Sequence, residues 1–247
     1  LGNVRYAIIA DIHANLAAFT AVLDDISQRG RVAELWCLGD IVGYGPDPHQ
    51  CIERLRQYVS ICVAGNHDRA AIGKLDIAYF NPEAAAACQW TAGQLSPDDI
   101  RYLESLPLVI QRDRFTLVHG SPREPLLEYL ISPQQATENL PYFDSLVCLV
   151  GHSHKPLLFA LSQAGTFSRC ELLAGATLPL ADGRLIINPG GVGQPRDGDP
   201  RASYAIYDAE AGSISHYRIP YDIADTQSRM MEYGLPHGLI RRLSYGL

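Results

Sequence analysis

The sequence has no basic stripe, no CxxC pair, no apolar run of bilayer length and no internal repeat or low-complexity linker, and each absence closes off a class of function. A formal net charge of −7 opposes the electrostatics by which a dedicated nucleic-acid binder neutralises phosphates. The basic doublet Arg241-Arg242 reads as part of a solvated terminal helix. Of the 6 cysteines, Cys37, Cys62 and Cys148 sit inside apolar runs, so the set reads as core thiols of a cytosolic protein rather than disulfides or a thiolate metal site. No apolar run approaches the ~20 residues that cross a bilayer. The chain opens on strand-like sequence with no charged leader ahead of it, and a cytoplasmic protein is expected, although Leu1 is not a natural start.

What is there is enough to build a core: 247 residues with 47% hydrophobic content, read as a single domain over residues 1–247. One event recurs along it. A short apolar run ends abruptly on a residue of metal-ligand type. Tyr6-Ala7-Ile8-Ile9-Ala10 runs into Asp11-Ile12-His13, Leu35-Trp36-Cys37-Leu38-Gly39 into Asp40, and Ile61-Cys62-Val63-Ala64-Gly65 into Asn66-His67-Asp68. Phe115-Thr116-Leu117-Val118 stops at His119, and Leu146-Val147-Cys148-Leu149-Val150-Gly151 at His152-Ser153-His154. Such runs read as buried strands, and in open α/β sheets the ligand site lies beyond their carboxyl ends.

The elements between these runs follow a plan. After Asn15, the residues Leu16, Phe19, Val22, Leu23 and Ile26 recur at helical spacing, giving strand, loop and crossover helix. A second unit ends at Asp40, turns through Gly43-Tyr44-Gly45-Pro46-Asp47-Pro48 and enters a helix from His49 to Tyr58. The alternation then stops. A helical insertion over about 69–107 is expected to lie above the active edge, with one helix opening at Phe80-Asn81-Pro82-Glu83 and another capped by Ser96-Pro97-Asp98-Asp99. From Leu108 onward strands dominate, apart from a helix at Ser132-Pro133 and a C-terminal helical segment over about 221–247. Two facing sheets with helices outside are expected.

The chemistry begins with spacing. Residues i and i+2 of a strand point the same way, so Asp11 and His13 can reach one ion together, and His152 and His154 repeat the pattern. Hard divalent cations favour carboxylate and imidazole donors over sulfur. A central carboxylate such as Asp40 can bridge two ions about 3.5–4 Å apart, the separation used in two-metal hydrolysis. Asn66 adds an amide oxygen, and His119, His152 and His154 complete two shells.

Asp11-Ile12-His13, Gly39-Asp40, Gly65-Asn66-His67-Asp68, His119-Gly120 and Gly151-His152-Ser153-His154 resemble, in order, the signature blocks of the calcineurin-like metallophosphoesterases. Gly39 to Pro46 and Asn188 to Arg196 resemble the small bacterial and archaeal phosphodiesterase branch. The resemblance implies an α/β fold, a four-layer αββα sandwich of two mixed β-sheets flanked by helices. It also implies one divalent ion on Asp11, His13, Asp40 and His154 and a second on Asp40, Asn66, His119 and His152, with manganese, iron, zinc, nickel and magnesium all suited. A metal-bridging hydroxide would attack phosphorus directly. His67 would donate a hydrogen bond or proton to the phosphate or leaving group, and Asp68 would orient its ring, the alternative being an N-cap for the following helix. Ala14 and Gly191 depart from the glycine and serine that many relatives carry there, which bears on loop geometry rather than on ligands.

For the substrate, Asn15, Tyr44 and Arg196 are candidate contacts, with Arg196 and Arg201 otherwise read as exposed charges. Tyr44, Tyr79 and Phe80 could line a pocket for a nucleobase, whereas Trp90 reads as core. The preferred reading is a phosphoesterase acting on a small phosphodiester or phosphomonoester. A nucleotide or dinucleoside polyphosphate hydrolase and a protein phosphatase are the alternatives. A nuclease is disfavoured by the acidic balance, and a non-catalytic scaffold by the complete ligand set. The sequence is compatible with a homo-oligomer and gives no sign of a membrane partner.

Overall fold

Unbroken apolar runs can be satisfied only where both faces of a strand are covered, and the architecture covers both. The computed structural model describes residues 4–58, 60–170, 172–180 and 183–247, so Leu1 lies outside the described residues. In chain order the elements are β1 (Arg5–Ile9), α1 (Leu16–Gln28), β2 (Glu34–Cys37), α2 (Pro48–Arg56), β3 (Ser60–Cys62), α3 (Asn66–Ala71), α4 (Pro82–Gln94) and α5 (Pro97–Ser105). There follow β4 (Val109–Arg112), β5 (Phe115–Val118), α6 (Pro133–Asn139), β6 (Val147–Leu149), β7 (Pro156–Leu161), β8 (Phe167–Cys170) and β9 (Thr177–Pro179). The chain closes with β10 (Leu185–Pro189), β11 (Ala202–Asp208), β12 (Ser213–Ile219), α7 (Ile223–Glu232) and α8 (His237–Arg242).

The strands form two mixed 6-stranded sheets, ordered β3-β2-β1-β11-β12-β9 and β4-β5-β6-β10-β7-β8. Side-chain alternation assigns each run to two cores. Ile8, Ala10, Trp36, Leu38 and Val63 meet Phe115, Leu117, Val147, Leu149 and Ile187 between the sheets. Ala7, Ile9, Leu35 and Cys37 face outward onto Phe19, Val22, Ile26, Ile52 and Leu55 of α1 and α2. On the far side Val118, Cys148 and Ile186 pack with Ala136 of α6. This is the four-layer αββα order. β1, β2 and β3 are parallel, as are β5, β6 and β10, so the carboxyl ends of five ligand-bearing strands point to one edge. Between β3 and β4 the described chain forms only helices and turns, and all 6 cysteines are free thiols.

Below that edge a polar relay ties the two sheets. Ser203 Oγ of β11 donates to the Pro189 carbonyl at 2.6 Å and therefore accepts from His216 Nε2 of β12 at 2.8 Å. His216 is buried, and burial, reinforced by the Arg218 charge, lowers its pKa to about 4. Because the folded value lies below the ordinary 6.5, the neutral ring contributes stability that is fully present above about pH 6.5 and lost as pH falls towards 4. Urea denaturation of wild type and His216→Gln should therefore show the wild type losing up to about 3 kcal/mol more than the variant between pH 7 and pH 4. Equal slopes would remove His216 from the acid response.

Candidate metal centre

Five of the seven expected ligands are aimed by a backbone conformation that side chains avoid. Asp11 (φ 56°), His13 (φ 49°), Asp40 (φ 54°), His152 (φ 61°) and His154 (φ 56°) all lie in the left-handed region, as do Ala14 (φ 51°) and Tyr44 (φ 61°). Non-glycine residues held there cost on the order of 1–3 kcal/mol each and cluster where function over-determines the backbone. The spacing argument from strand alternation is thus corrected in its reason. β1 ends at Ile9 and β6 at Leu149, so Asp11, His13, His152 and His154 converge through left-handed turns beyond the strands. Glycines supply the remaining close approaches: a Cβ on Gly65 would sit 2.0 Å from Asp40 Oδ1, and one on Gly191 would stand 3.1 Å from His154 Cβ, where a serine would crowd that ring.

The side chains form two groups that share Asp40: Asp11, His13, Asp40 and His154, and Asp40, His119 and His152, with the donor atoms of each within 4.8 Å of one another. Asn66 Oδ1 joins the second group 2.9 Å from His119 Nε2. All of these residues are buried. The outer nitrogens of the rings are held by backbone carbonyls: His13 Nδ1 donates to Val42 (3.1 Å), His154 Nδ1 to Gln194 (2.6 Å), His119 Nδ1 to Leu38 (2.8 Å) and His152 Nε2 to Leu127 (3.3 Å). Such contacts fix the tautomer, so that each ring in its neutral, metal-binding form presents its unprotonated nitrogen inward. His13 Nε2 and His154 Nε2 then stand 3.1 Å apart, and His119 Nε2 and His152 Nδ1 3.2 Å apart, lone pair against lone pair.

The carboxylates are divided in the same way. Asp11 Oδ1 accepts the His152 N–H (3.1 Å) and Asp40 Oδ1 the His67 N–H (2.8 Å), while Asp11 Oδ2 and Asp40 Oδ2 are buried without a hydrogen-bond partner. Converging lone pairs and orphaned anionic oxygens are costly unless a cation lies among them, and nitrogen and oxygen donors of this kind fit a divalent ion. The protein groups alone respond as if deprived of that charge. Burial lifts Asp11 to about 7 and holds His13 and His154 well below the usual imidazole range. Burial would also lower His119, but the Asp40 carboxylate beside it lifts that ring to about 9.

His67 lies at the start of α3 with its ring against Tyr44 (4.3 Å between centroids), Phe80 (4.5 Å) and His13 (4.9 Å). Asp68 does not hold it. Its carboxylate accepts from the backbone N–H groups of Asp40, Ile41 and Gly65 at 2.9 Å and of Val42 at 3.2 Å, while His67 Nδ1 is buried without a partner. The ring-orienting role expected of Asp68 is corrected: it braces the Asp40 loop against the head of α3. Asn15, expected as a substrate contact, is buried with its Oδ1 capping α1 through Ala18 N and accepting from Thr226 Oγ1, and its amide donates to the Gly193 carbonyl. Asn188 is likewise committed to the His152-His154 loop, donating to the Gly151 carbonyl and Ser153 Oγ.

Arg196, read as an exposed charge, is half-buried at the rim. Its Nη2 donates to Tyr44 Oη (3.2 Å) and Gln194 Oε1 (3.0 Å), its Nε is buried without a partner, and no carboxylate pairs with it among the described residues. Arg201 is exposed and paired with Asp199. Tyr44, Tyr79 and Phe80 line a cavity of about 260 Å³ above Asn66, His67 and His152, whereas Trp90 packs on Tyr233. Tyr129 also lines it, its ring 4.0 Å from that of His152. Sequence reasoning missed Tyr129, which stands in an aperiodic segment after His119 with no motif to flag it.

The family model of the calcineurin-like phosphoesterase superfamily domain matches residues 4–212. The solved structure of a metallophosphoesterase from Sphaerobacter thermophilus is 48% identical, covers 100% of both chains and superposes with a TM-score of 0.91. An uncharacterized protein of Methanocaldococcus jannaschii is 38% identical over 244 residues, 97% of each chain. The structure of a hypothetical protein from Pyrococcus horikoshii, 22% identical over 99% of each chain with a TM-score of 0.81, shares the fold. Among the described residues no helix is long and apolar enough to cross a membrane.

Proposed function

The chain belongs to the calcineurin-like phosphoesterase superfamily, and from that premise we propose that it binds two divalent ions at the shared Asp40 edge and hydrolyses a small phosphate ester by direct attack of water. The observation that carries the reading is the inward convergence of unprotonated ring nitrogens on the two unpartnered carboxylate oxygens of Asp11 and Asp40. Divalent ions held by these residues supply Lewis acidity and bring the pKa of water from about 15.7 towards about 7. The chain's own groups do the rest. Asp40, between the two groups, fixes their separation. His67, in the cavity floor, offers an N–H to a phosphoryl oxygen, and the Arg196 guanidinium, whose charge is close enough to depress His67 and His154, supplies positive charge for the same anion. The free thiols support a reducing, cytoplasmic setting.

The reading is tested by turnover of bis-p-nitrophenyl phosphate, expected to appear with added divalent ion, to vanish with chelator, and to invert configuration at a chiral phosphorus. Net retention, or no turnover by protein shown to hold its ions, would defeat it. Arg196→Gln should lower kcat/KM by about 10–100-fold, mostly through KM, with metal content unchanged, because a charged hydrogen bond to phosphate is worth about 1.5–3 kcal/mol. An unchanged KM would take Arg196 out of substrate binding.

A further inference from the structure

The ligand edge opens into a cavity built from two kinds of surface. Its floor is Asn66, His67 and His152, and its walls are aromatic. Phe80 and Tyr44 lie against the His67 ring, and Tyr129 is stacked at 16° on His152. Tyr79, 71% exposed, and Tyr129, 44% exposed, stand in the same lining. An exposed tyrosine is unremarkable by itself. Four aromatic rings gathered around one cavity, directly above the place where a phosphate would be held, call for a planar partner. The cavity's 260 Å³ falls just below the roughly 300–1,000 Å³ of pockets for drug-sized ligands, which suits one ring system rather than a peptide segment.

We propose that the ester substituent of the substrate is a nucleoside, seated with its phosphate over the ligand edge and its base stacked among Tyr79, Phe80 and Tyr129. The inference rests on the phosphoesterase reading above and names its substrate class. Every base has a π-face that stacks on aromatic side chains. The hydroxyls of Tyr79 and Tyr129 and the amide of Asn81 add donors and acceptors for ring heteroatoms, which a hydrocarbon alcohol could not use. The net charge of −7 disfavours a polymeric nucleic acid and leaves the mononucleotide as ligand. Cleavage adds one water across the P–O bond, its oxygen to phosphorus and a proton to the departing nucleoside hydroxyl.

The test is calorimetric titration of the metal-loaded full chain with a non-hydrolysable adenosine 5′-phosphonate and with methylphosphonate, which share the anionic head. The nucleoside compound is expected to bind at least about tenfold more tightly, with Tyr79→Ala and Tyr129→Ala each cutting that ratio by about three- to tenfold and Tyr129→Phe, which keeps the ring and loses the hydroxyl, cutting it less than Tyr129→Ala. Equal affinities, or tighter binding of benzylphosphonate as a phosphotyrosine surrogate, overturn the nucleoside assignment. If bis-p-nitrophenyl phosphate is still hydrolysed with metal in that event, the phosphoesterase reading stands while the substrate class falls. A preserved ratio without hydrolysis supports the nucleoside site and defeats the enzymology.

Discussion

Asp40→Asn should yield a folded protein that has lost at least about a thousandfold in kcat/KM and no longer retains divalent ions at this centre. The amide cannot be accommodated both ways round. Its oxygen must take over the His67 N–H that Asp40 Oδ1 accepts at 2.8 Å, since the reverse orientation would oppose two donors. The amide nitrogen then occupies the place of Oδ2, which lies 3.5 Å from His13 Nε2 and 3.3 Å from His119 Nε2. There it can donate to the inward lone pairs that otherwise demand a cation. The substitution therefore fills the centre with protons instead of ions.

This gives a signature beyond lost activity. Wild-type protein should lose about 10–20 °C in Tm on chelation, from the roughly 2.7 kcal/mol that each of the two ions contributes at a hundred times its Kd. The Asp40→Asn protein should melt at one temperature with or without chelator. Metal analysis and paired melting curves read both effects. A variant that still melts higher with added ion would show that Asp40 is dispensable and that the shared-carboxylate account is mistaken.

The sequence made the five ligand-bearing strand ends legible because each apolar run stops where a polar side chain begins, and parallel βαβ units send such ends to one edge. It could not show how the ligands turn inward. The left-handed conformations of Asp11, His13, Asp40, His152 and His154 are imposed by loops packed against each other, such as His13 N on the Asp40 carbonyl (2.9 Å), and leave no mark in residue type. Asp68 escaped for a related reason. Its partners are backbone N–H groups of Gly65 and of Asp40 to Val42, and backbone donors are anonymous in a sequence. Strands β8 and β9 leave little mark in the sequence because they are short and half-exposed, defined by pairing with β7 and β12 rather than by apolar content. The six-residue helix α3 is too brief for periodicity to register.

His67 carries the last large effect, and its surroundings decide between the two roles that the motif allows. The ring is wedged among Tyr44, Phe80 and His13, and a Cβ on Gly43 would already stand 2.6 Å from its Nδ1. No carboxylate among the described residues hydrogen-bonds to the ring, since Asp68 is committed to the backbone, and burial outweighs the Asp40 charge nearby and lowers the pKa of His67 to about 4. A neutral ring donating one N–H to a phosphoryl oxygen fits these contacts better than a proton donor to the leaving group. His67→Ala should accordingly lower kcat by about 10²–10³-fold, with bound metal unchanged and KM affected less. The loss should be similar for a p-nitrophenyl ester, whose oxygen departs as a stable anion, and for an alkyl ester, whose oxygen must be protonated. Should the alkyl ester suffer far more than the aryl one, His67 would be delivering a proton, and the carboxylate that keeps it charged would have to be sought among groups that move when substrate binds.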